Sequence, residues 1–247
     1  MRAHGQRSFA VIKEAKPLSA ASATALPPGF RSSLLNGLIP SEIEAVLAAA
    51  RRQPISANQV IQHEGETAAY LFLLVTGRAA AYQLTHEGSK LFLRWIVPGD
   101  AFGLRAIQRE DSLLLWTVQA MREGSVLVWD RDSAWALVLR YPRLRENLYT
   151  TLMHHNASLM NVLCARACQT AQQRLARMLI ESARQLGRAG ADGIEFDLTN
   201  EQLAEMANVS LFTASRQLSE WERQGILAKS RGKVLLCSPE RLVSEHF

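Results

Sequence analysis

The sequence predicts an α+β chain: an antiparallel, jelly-roll-like β-roll, then a long helix, then a C-terminal winged helix-turn-helix. Three observations carry this. Residues 55 to 130 hold short β-rich runs punctuated by glycines at 65, 77, 88, 99, 103 and 124. Beyond Pro142 no Gly or Pro interrupts a helical pattern until Gly187. Finally, two short capped helices are followed by a basic hairpin between Thr199 and Lys233.

The first 28 residues mix Ala, Ser, Pro and scattered charge and end in Leu26-Pro27-Pro28-Gly29, so a disordered basic tail is expected there. A helix is expected from Ser41, read as its N-cap, with Ile43, Val46 and Leu47 at helical spacing before Pro54. Ala69–Val75, Lys90–Val97, Trp116–Ala120 and Ser125–Trp129 read as strands at roughly ten-residue spacing, the pattern of a compact roll or barrel. The roll should therefore occupy residues 29–140, ending in a short helix over Ser133–Arg140.

Pro142 suits the first turn of the next helix, expected over 141–169. Within it Leu148, Leu152, His155, Leu159 and Val162 alternate steps of four and three, the spacing of a coiled-coil seam, so a homodimer is expected. The alternative is a helix packed on its own β-domain. Gln172–Leu186 reads as a helix of the last domain, residues 170–240.

In that domain Thr199 and Gln202 have the spacing of a capping box. Leu203, Ala204 and Ala207 give the helix a narrow apolar face, and Asn208 tolerates the left-handed conformation a sharp turn requires. Ser210 caps a second helix with Ala214, Leu218 and Trp221 inward, stopped by Gly225. Ile226–Ala228 and Val234–Leu236 then flank Lys229-Ser230-Arg231-Gly232-Lys233 as a wing. A helix-turn-helix places its second helix in the major groove, so double-stranded DNA is the expected partner.

Charge supports this only locally. The chain of 247 residues carries a formal +5, but Arg2, Arg7, Lys13, Lys16 and Arg31 against Glu14 put most of the excess in the first 35 residues. From Ser210 to Lys233, Arg216, Arg223, Lys229, Arg231 and Lys233 outnumber Glu220 and Glu222. That cluster sits where phosphates would lie.

The stretches Leu198-Thr199-Asn200-Glu201-Gln202-Leu203-Ala204, Thr213-Ala214-Ser215-Arg216-Gln217-Leu218, Gln224-Gly225-Ile226-Leu227 and Val97-Pro98-Gly99-Asp100-Ala101-Phe102-Gly103 resemble the Crp/Fnr transcription regulators over roughly residues 30 to 240. The resemblance implies a cyclic-nucleotide-binding-like sensor roll, a dimerisation helix and a winged DNA-binding domain. It implies DNA contacts from Thr199, Ser210, Leu211, Phe212, Thr213, Ser215, Arg216, Lys229, Arg231 and Lys233, with Arg216 as the base-reading arginine. Familiar members carry Arg and Glu after the capping residue. Here Leu211 and Phe212 stand there, and Phe can offer only apolar contact, for instance to a thymine methyl. The target should be palindromic, with RNA polymerase a partner if the protein activates.

The roll departs from the nucleotide-binding pattern. Leu104 replaces the Glu that holds ribose, and Leu114-Leu115 replaces the Arg-Ser pair that binds the cyclic phosphate. An anion buried against leucines loses hydration without compensation, so cAMP or cGMP in the usual mode is not expected. The candidate effector pocket comprises Leu104, Arg105, Leu114, Leu115, Leu159 and Met160; it is expected to be closed as an apolar core, the alternative being an apolar ligand, with Arg105 and Arg109 on the solvated surface.

No cofactor is expected. Residues 1 to 60 lack cysteine, which excludes the iron-sulfur branch of the family. Haem, with His63, His86, His154 and His155 available, and redox sensing at Cys164 and Cys168, one helical turn apart, are weaker alternatives. So is a constitutive DNA-binding dimer with a degenerate sensor. No nucleophile elbow, phosphate loop or H-E-x-x-H motif points to an enzyme. With no signal peptide or apolar run long enough to span a bilayer, a cytoplasmic location without membrane partners is expected.

Overall fold

A computed structural model describes residues 25–85, 89–108, 110 and 112–246. The expected tail falls almost wholly outside the described residues, as do His86 and Arg109. Two compact units are present: one takes in the described residues up to Gln83 with Arg94–Ala157, the other Leu84–Leu93 with the chain from Ser158 on.

The first unit opens with α1 (Pro40–Ala48), whose proline occupies the first turn while the Glu42 carboxylate accepts the Ile39 N–H at 3.1 Å. The cap is thus Ile39 rather than Ser41. Strands β1 (Arg51–Ile55), β2 (Val60–Gln62), β3 (Tyr70–Leu84), β4 (Lys90–Ile96), β5 (Ala101–Phe102) and β6 (Thr117–Asp130) form one sheet in the order β1-β6-β3-β4, with β2 on β6 and β5 on β3. Its frame is the antiparallel β3–β6 pair, which runs from Tyr70↔Asp130 to Tyr82↔Thr117. The two strands expected on either side of Gly124 are one strand. Gly124 marks a bulge, where an added Cβ would lie 2.0 Å from the Thr76 carbonyl oxygen, so the ladder shifts register instead of turning.

A 3-10 helix, Leu104–Ile107, follows β5, and α2 (Arg131–Arg140) follows β6, capped by Asp130 accepting the Ser133 N–H at 2.9 Å. Helix α3 (Pro142–Cys168) starts at Pro142 as expected. Leu71, Leu73, Leu127 and Trp129 of the sheet, Val46 of α1, Val138 of α2 and Leu144 and Leu148 of α3 share one buried core with Leu34 and Leu38. Burying such side chains contributes roughly 1.5–3 kcal/mol each.

Polar contacts fix the rotation of α3 against this core. Asn147 Nδ2 donates to the carbonyl oxygens of Leu34 (2.9 Å) and Asn36 (2.7 Å). One and two turns on, Thr151 and His155 are also buried. Asp100 accepts from the Val97 N–H at 3.1 Å and from Arg94 Nη2 at 2.7 Å, and Arg94 Nη1 donates to His155 Nε2. Leu148 and His155 therefore face their own unit and do not belong to an open seam.

The second unit contains α4 (Ala171–Leu186), β7 (Arg188–Gly190), β8 (Gly193–Phe196), α5 (Asn200–Ala207), α6 (Leu211–Arg223), β9 (Leu227–Ser230), β10 (Lys233–Leu236) and α7 (Pro239–His246). The wing strands β9 and β10 belong to a four-stranded sheet ordered β7-β8-β10-β9, a hairpin more than sequence patterning shows. Among the described residues no helix is long and apolar enough to cross a membrane.

Two consequences are measurable. Gly99 sits at φ 96, and an added Cβ would lie 2.2 Å from the Arg31 carbonyl oxygen, while Ser32 Oγ donates to its carbonyl at 2.7 Å. Gly99→Ala should lower stability by about 2 kcal/mol or more, seen as a fall in urea midpoint at unchanged slope; an unchanged midpoint would mean that this docking of the N-terminal segment adds nothing. Burial first, then the charges of Arg94 and His154, lower the His155 pKa from 6.5 to about 3. Neutral folded His155 against a titrating unfolded one means that stability is complete above the unfolded value and falls as pH drops from about 6.5 toward 3. His155→Gln keeps an acceptor for Arg94 without a titrating group. Between about pH 7.5 and about pH 5 the parent protein should lose about 2 kcal/mol more than the variant by urea titration at each pH; parallel losses would assign the acid sensitivity elsewhere.

Candidate nucleic-acid interface and ligand pocket

In the second unit, Thr199 Oγ1 accepts the Gln202 N–H at 3.2 Å and Gln202 Oε1 accepts the Thr199 N–H at 2.9 Å, closing the capping box of α5. Leu203, Ala204 and Ala207 are buried, and Asn208 adopts φ 50, ψ 55, the left-handed turn expected of it. Ser210 Oγ accepts the Thr213 N–H at 3.0 Å and starts α6, which buries Ala214, Leu218 and Trp221.

The turn is braced by a residue that local sequence patterning does not single out. Arg174 of α4 donates from Nε to the Ala207 carbonyl at 3.0 Å, from Nη2 to the Asn208 carbonyl at 3.1 Å and from Nη1 to Gln169 at 2.9 Å. A guanidinium at the C-terminus of α5 satisfies end-of-helix carbonyls and meets the negative end of the helix dipole. The two turn carbonyls lie more than thirty residues from Arg174, so only the fold brings them together.

With its buried side fixed, α6 presents Leu211, Phe212, Thr213 and Arg216 to solvent, with Ser215 half-buried. Phe212 is 77% exposed, an unusual state for an aromatic side chain and one that leaves its ring available to a partner. Thr199 and Ser210 spend their hydroxyls on capping, and the Ser210 and Thr213 hydroxyls also bond each other at 2.8 Å.

The basic cluster is less open than its residue count suggests. Lys229 Nζ meets Glu222 at 3.0 Å and Ser219 Oγ at 3.0 Å, Lys233 Nζ meets Glu195 at 2.9 Å, and Arg223 pairs with Glu220. The Lys229 hydrogen bond holds the Glu222 carboxyl below its usual range. Lys229 thereby pins the wing to α6, reinforced by its own N–H donating to Glu222 at 2.9 Å. Arg216 and Arg231 form no ion pair among the described residues, and Arg231 stands at the two-residue tip between Ser230 and Lys233.

In the first unit a cavity of about 460 Å³ opens between the 3-10 helix, the segment before β6, α2 and α3. Leu104, Arg105, Leu114 and Leu115 line it, as four of the expected pocket residues should. From α3 the lining residues are Arg145, Leu148, Tyr149, Leu152 and His155, while Leu159 and Met160 take no part. Two expectations are corrected. The space is open rather than closed as a core, and its lining includes the half-exposed Leu115; and Arg105 is half-buried in the lining rather than fully solvated. Among the described residues no group of three or more His, Cys, Asp or Glu side chains could hold a metal ion, and Cys164, Cys168 and Cys237 are free thiols.

Comparison with known proteins gives these features a context. Residues 52–141 match the family model of the cyclic nucleotide-binding domain and residues 173–245 that of the Crp-like helix-turn-helix domain. The chain is 24% identical over 218 residues to a CRP-like cAMP-activated global transcriptional regulator of Mycobacterium tuberculosis, covering 86% of this chain and 95% of that one. It is 25% identical over 203 residues to the cyclic AMP receptor protein of Thermus thermophilus, covering 82% and 91%. In fold it matches FixK2 of Bradyrhizobium japonicum (TM-score 0.70, 24% identity, 80% of this chain and 98% of that one). It also matches the c-di-GMP responsive global regulator CLP of Xanthomonas campestris (TM-score 0.71, 16% identity, 80% and 99%). With both domains matched in order and relatives aligned along most of its length, the chain belongs to the Crp/Fnr family of DNA-binding transcription regulators.

Proposed function

We propose that this regulator binds a palindromic DNA site as a homodimer, and that its sensor pocket does not take cAMP or cGMP in the family's usual mode. The observation that carries the dimer is a stripe on α3. Tyr149, Met153, Asn156, Met160, Leu163 and Ala167 recur in alternating steps of four and three, and all six are exposed in the single chain. Tyr149 is 64% and Leu163 60% exposed, a cost that a second copy of the helix removes. This seam lies one residue beyond the one read from sequence. It keeps Leu152 and Leu159 as flanking contacts and gives up Leu148 and His155 to the core. Asn156 then supplies the polar position that specifies register in a parallel pair.

Two recognition helices related by a dimer axis meet half-sites about one turn, some 34 Å, apart. Arg216 is the base-reading residue, able to bond guanine O6 and N7 together, while Arg231 at the wing tip contacts phosphate. Leu211 and Phe212 replace polar readers by apolar ones and favour thymine. Lys229 and Lys233 serve first as braces of the wing. No cofactor is part of this reading. Leucines at 104, 114 and 115 line the cavity where the family resemblance places the ribose-holding Glu and the phosphate-binding Arg-Ser pair, so the usual cyclic-nucleotide contacts are missing. The open cavity favours a ligand-responsive regulator over a constitutive dimer. RNA polymerase is a partner if the bound site lies where activation is possible.

Selection of bound duplexes from a random pool tests the DNA reading. It should return a palindrome with T favoured opposite Phe212. Arg216→Ala should relax one base position at a cost of about 1–3 kcal/mol, whereas Arg231→Ala should weaken all sequences and lower the log–log salt slope by about 0.9. A non-palindromic consensus, or both variants behaving as the parent, would overturn the assignment. For the seam, Met160→Glu combined with Leu163→Glu should yield monomers in sedimentation at micromolar protein, with the helical content of the parent retained, whereas Val162→Glu should leave the dimer intact; the reverse pattern would restore the sequence-derived register.

A further inference from the structure

The cavity's chemistry points to a ligand class. Its walls are almost wholly apolar, formed by side chains such as Leu114, Leu115, Trp116 and Leu152, yet two arginines, the half-buried Arg105 and the exposed Arg145, are among the lining residues. No carboxylate is among the lining residues. Arg105 Nε is buried with no hydrogen-bond acceptor among the described residues, and Arg145 forms no ion pair among them. A buried charged donor lacking an acceptor is costly, and an oxyanion removes that cost. A volume of about 460 Å³ falls in the range of small-molecule sites and holds on the order of 15 non-hydrogen atoms at ~30 Å³ each.

We infer that the pocket binds an organic monoanion with an apolar body and a single carboxylate, the head held by Arg105 and Arg145 and the body against the leucines and Trp116. One carboxylate matches the fork of a guanidinium. A phosphate dianion would carry excess charge into a wall of leucines. Binding itself stands apart from the proposed function; only its regulatory consequence rests on reading this cavity as the effector site of a dimeric regulator.

Calorimetric titration of the full-length protein with decanoate, below the concentration at which it forms micelles, tests the inference. Decanoate should bind saturably at one site per chain. Decanol, with the same tail and no charge, should bind at least about tenfold more weakly, as should decanoate to the Arg105→Gln, Arg145→Gln double variant. Leu115→Glu, at a half-exposed lining position, should weaken decanoate by about tenfold or more while leaving the thermal transition in place. Absence of saturable decanoate binding, equal affinity for decanol, an unaffected double variant, or tighter saturable binding of cAMP in the same cavity would each overturn the assignment. Failure of the duplex selection would instead strike the dimeric-regulator reading and leave this titration's result intact.

Discussion

Helix α3 has to satisfy two environments at once, and the roll, the pocket and the outward stripe all depend on how it is rotated. Its inner side carries Leu144, Asn147, Leu148, Thr151 and His155, all buried. Apolar residues alone would hold this face loosely, because leucines tolerate small rotations. Asn147 and His155 do not: a rotation of one residue would strip Asn147 of two backbone carbonyls and leave the half-buried Arg94 without the His155 nitrogen. Each orphaned buried polar group costs about 1–3 kcal/mol, more where it is charged. The polar residues of the inner face therefore set the angle at which Tyr149, Met153, Met160 and Leu163 leave the molecule.

Desolvation strengthens the same arrangement. Burial pushes down the pKa of Arg94, against the pull of Asp100, and pushes His155 down to about 3. A neutral imidazole accepting from a guanidinium avoids placing two cations side by side in low dielectric. Asp100, from the Val97-Pro98-Gly99-Asp100 turn, supplies a countercharge and also accepts a backbone N–H of that turn. The turn, the adjoining strand and the helix are thus joined by one chain of hydrogen bonds.

The elements read correctly from sequence are those whose determinants are local. The capping box at Thr199 and Gln202, the left-handed Asn208, the Ser210 cap and the glycine-tipped wing each depend on residues within a few positions, so composition and spacing are enough to place them. The proposed seam differs from the one that spacing alone suggests because α3 carries two interleaved four-three patterns, one through Leu148 and His155 and one through Met153 and Met160. Spacing cannot choose between them; the choice is made by Leu34, Asn36 and Arg94, distant in sequence. The Arg174 brace, the pairing of Lys229 and Lys233 with carboxylates, and the opening of the cavity were illegible for the same reason. A count of basic residues records charge, whereas an interface uses the charge left after internal pairing, which here is Arg216 and Arg231.

The cavity and the stripe share side chains, and this bounds what a ligand can do. Tyr149 lies both in the pocket lining and on the outward stripe, and Leu152 lies in the lining and on the stripe's edge. A molecule in the cavity touches the surface on which a second helix would pack, so the two events draw on common contacts. The ligand can shift a dimer between arrangements only by the difference in its affinity for them. Contacts to Leu114 or Trp116 that are equal in both arrangements add affinity and no regulation, however tight they are. In the proposed dimer, contacts to Tyr149 and Leu152 would differ whenever the helix pair repacks, and through these two residues occupancy would acquire regulatory weight.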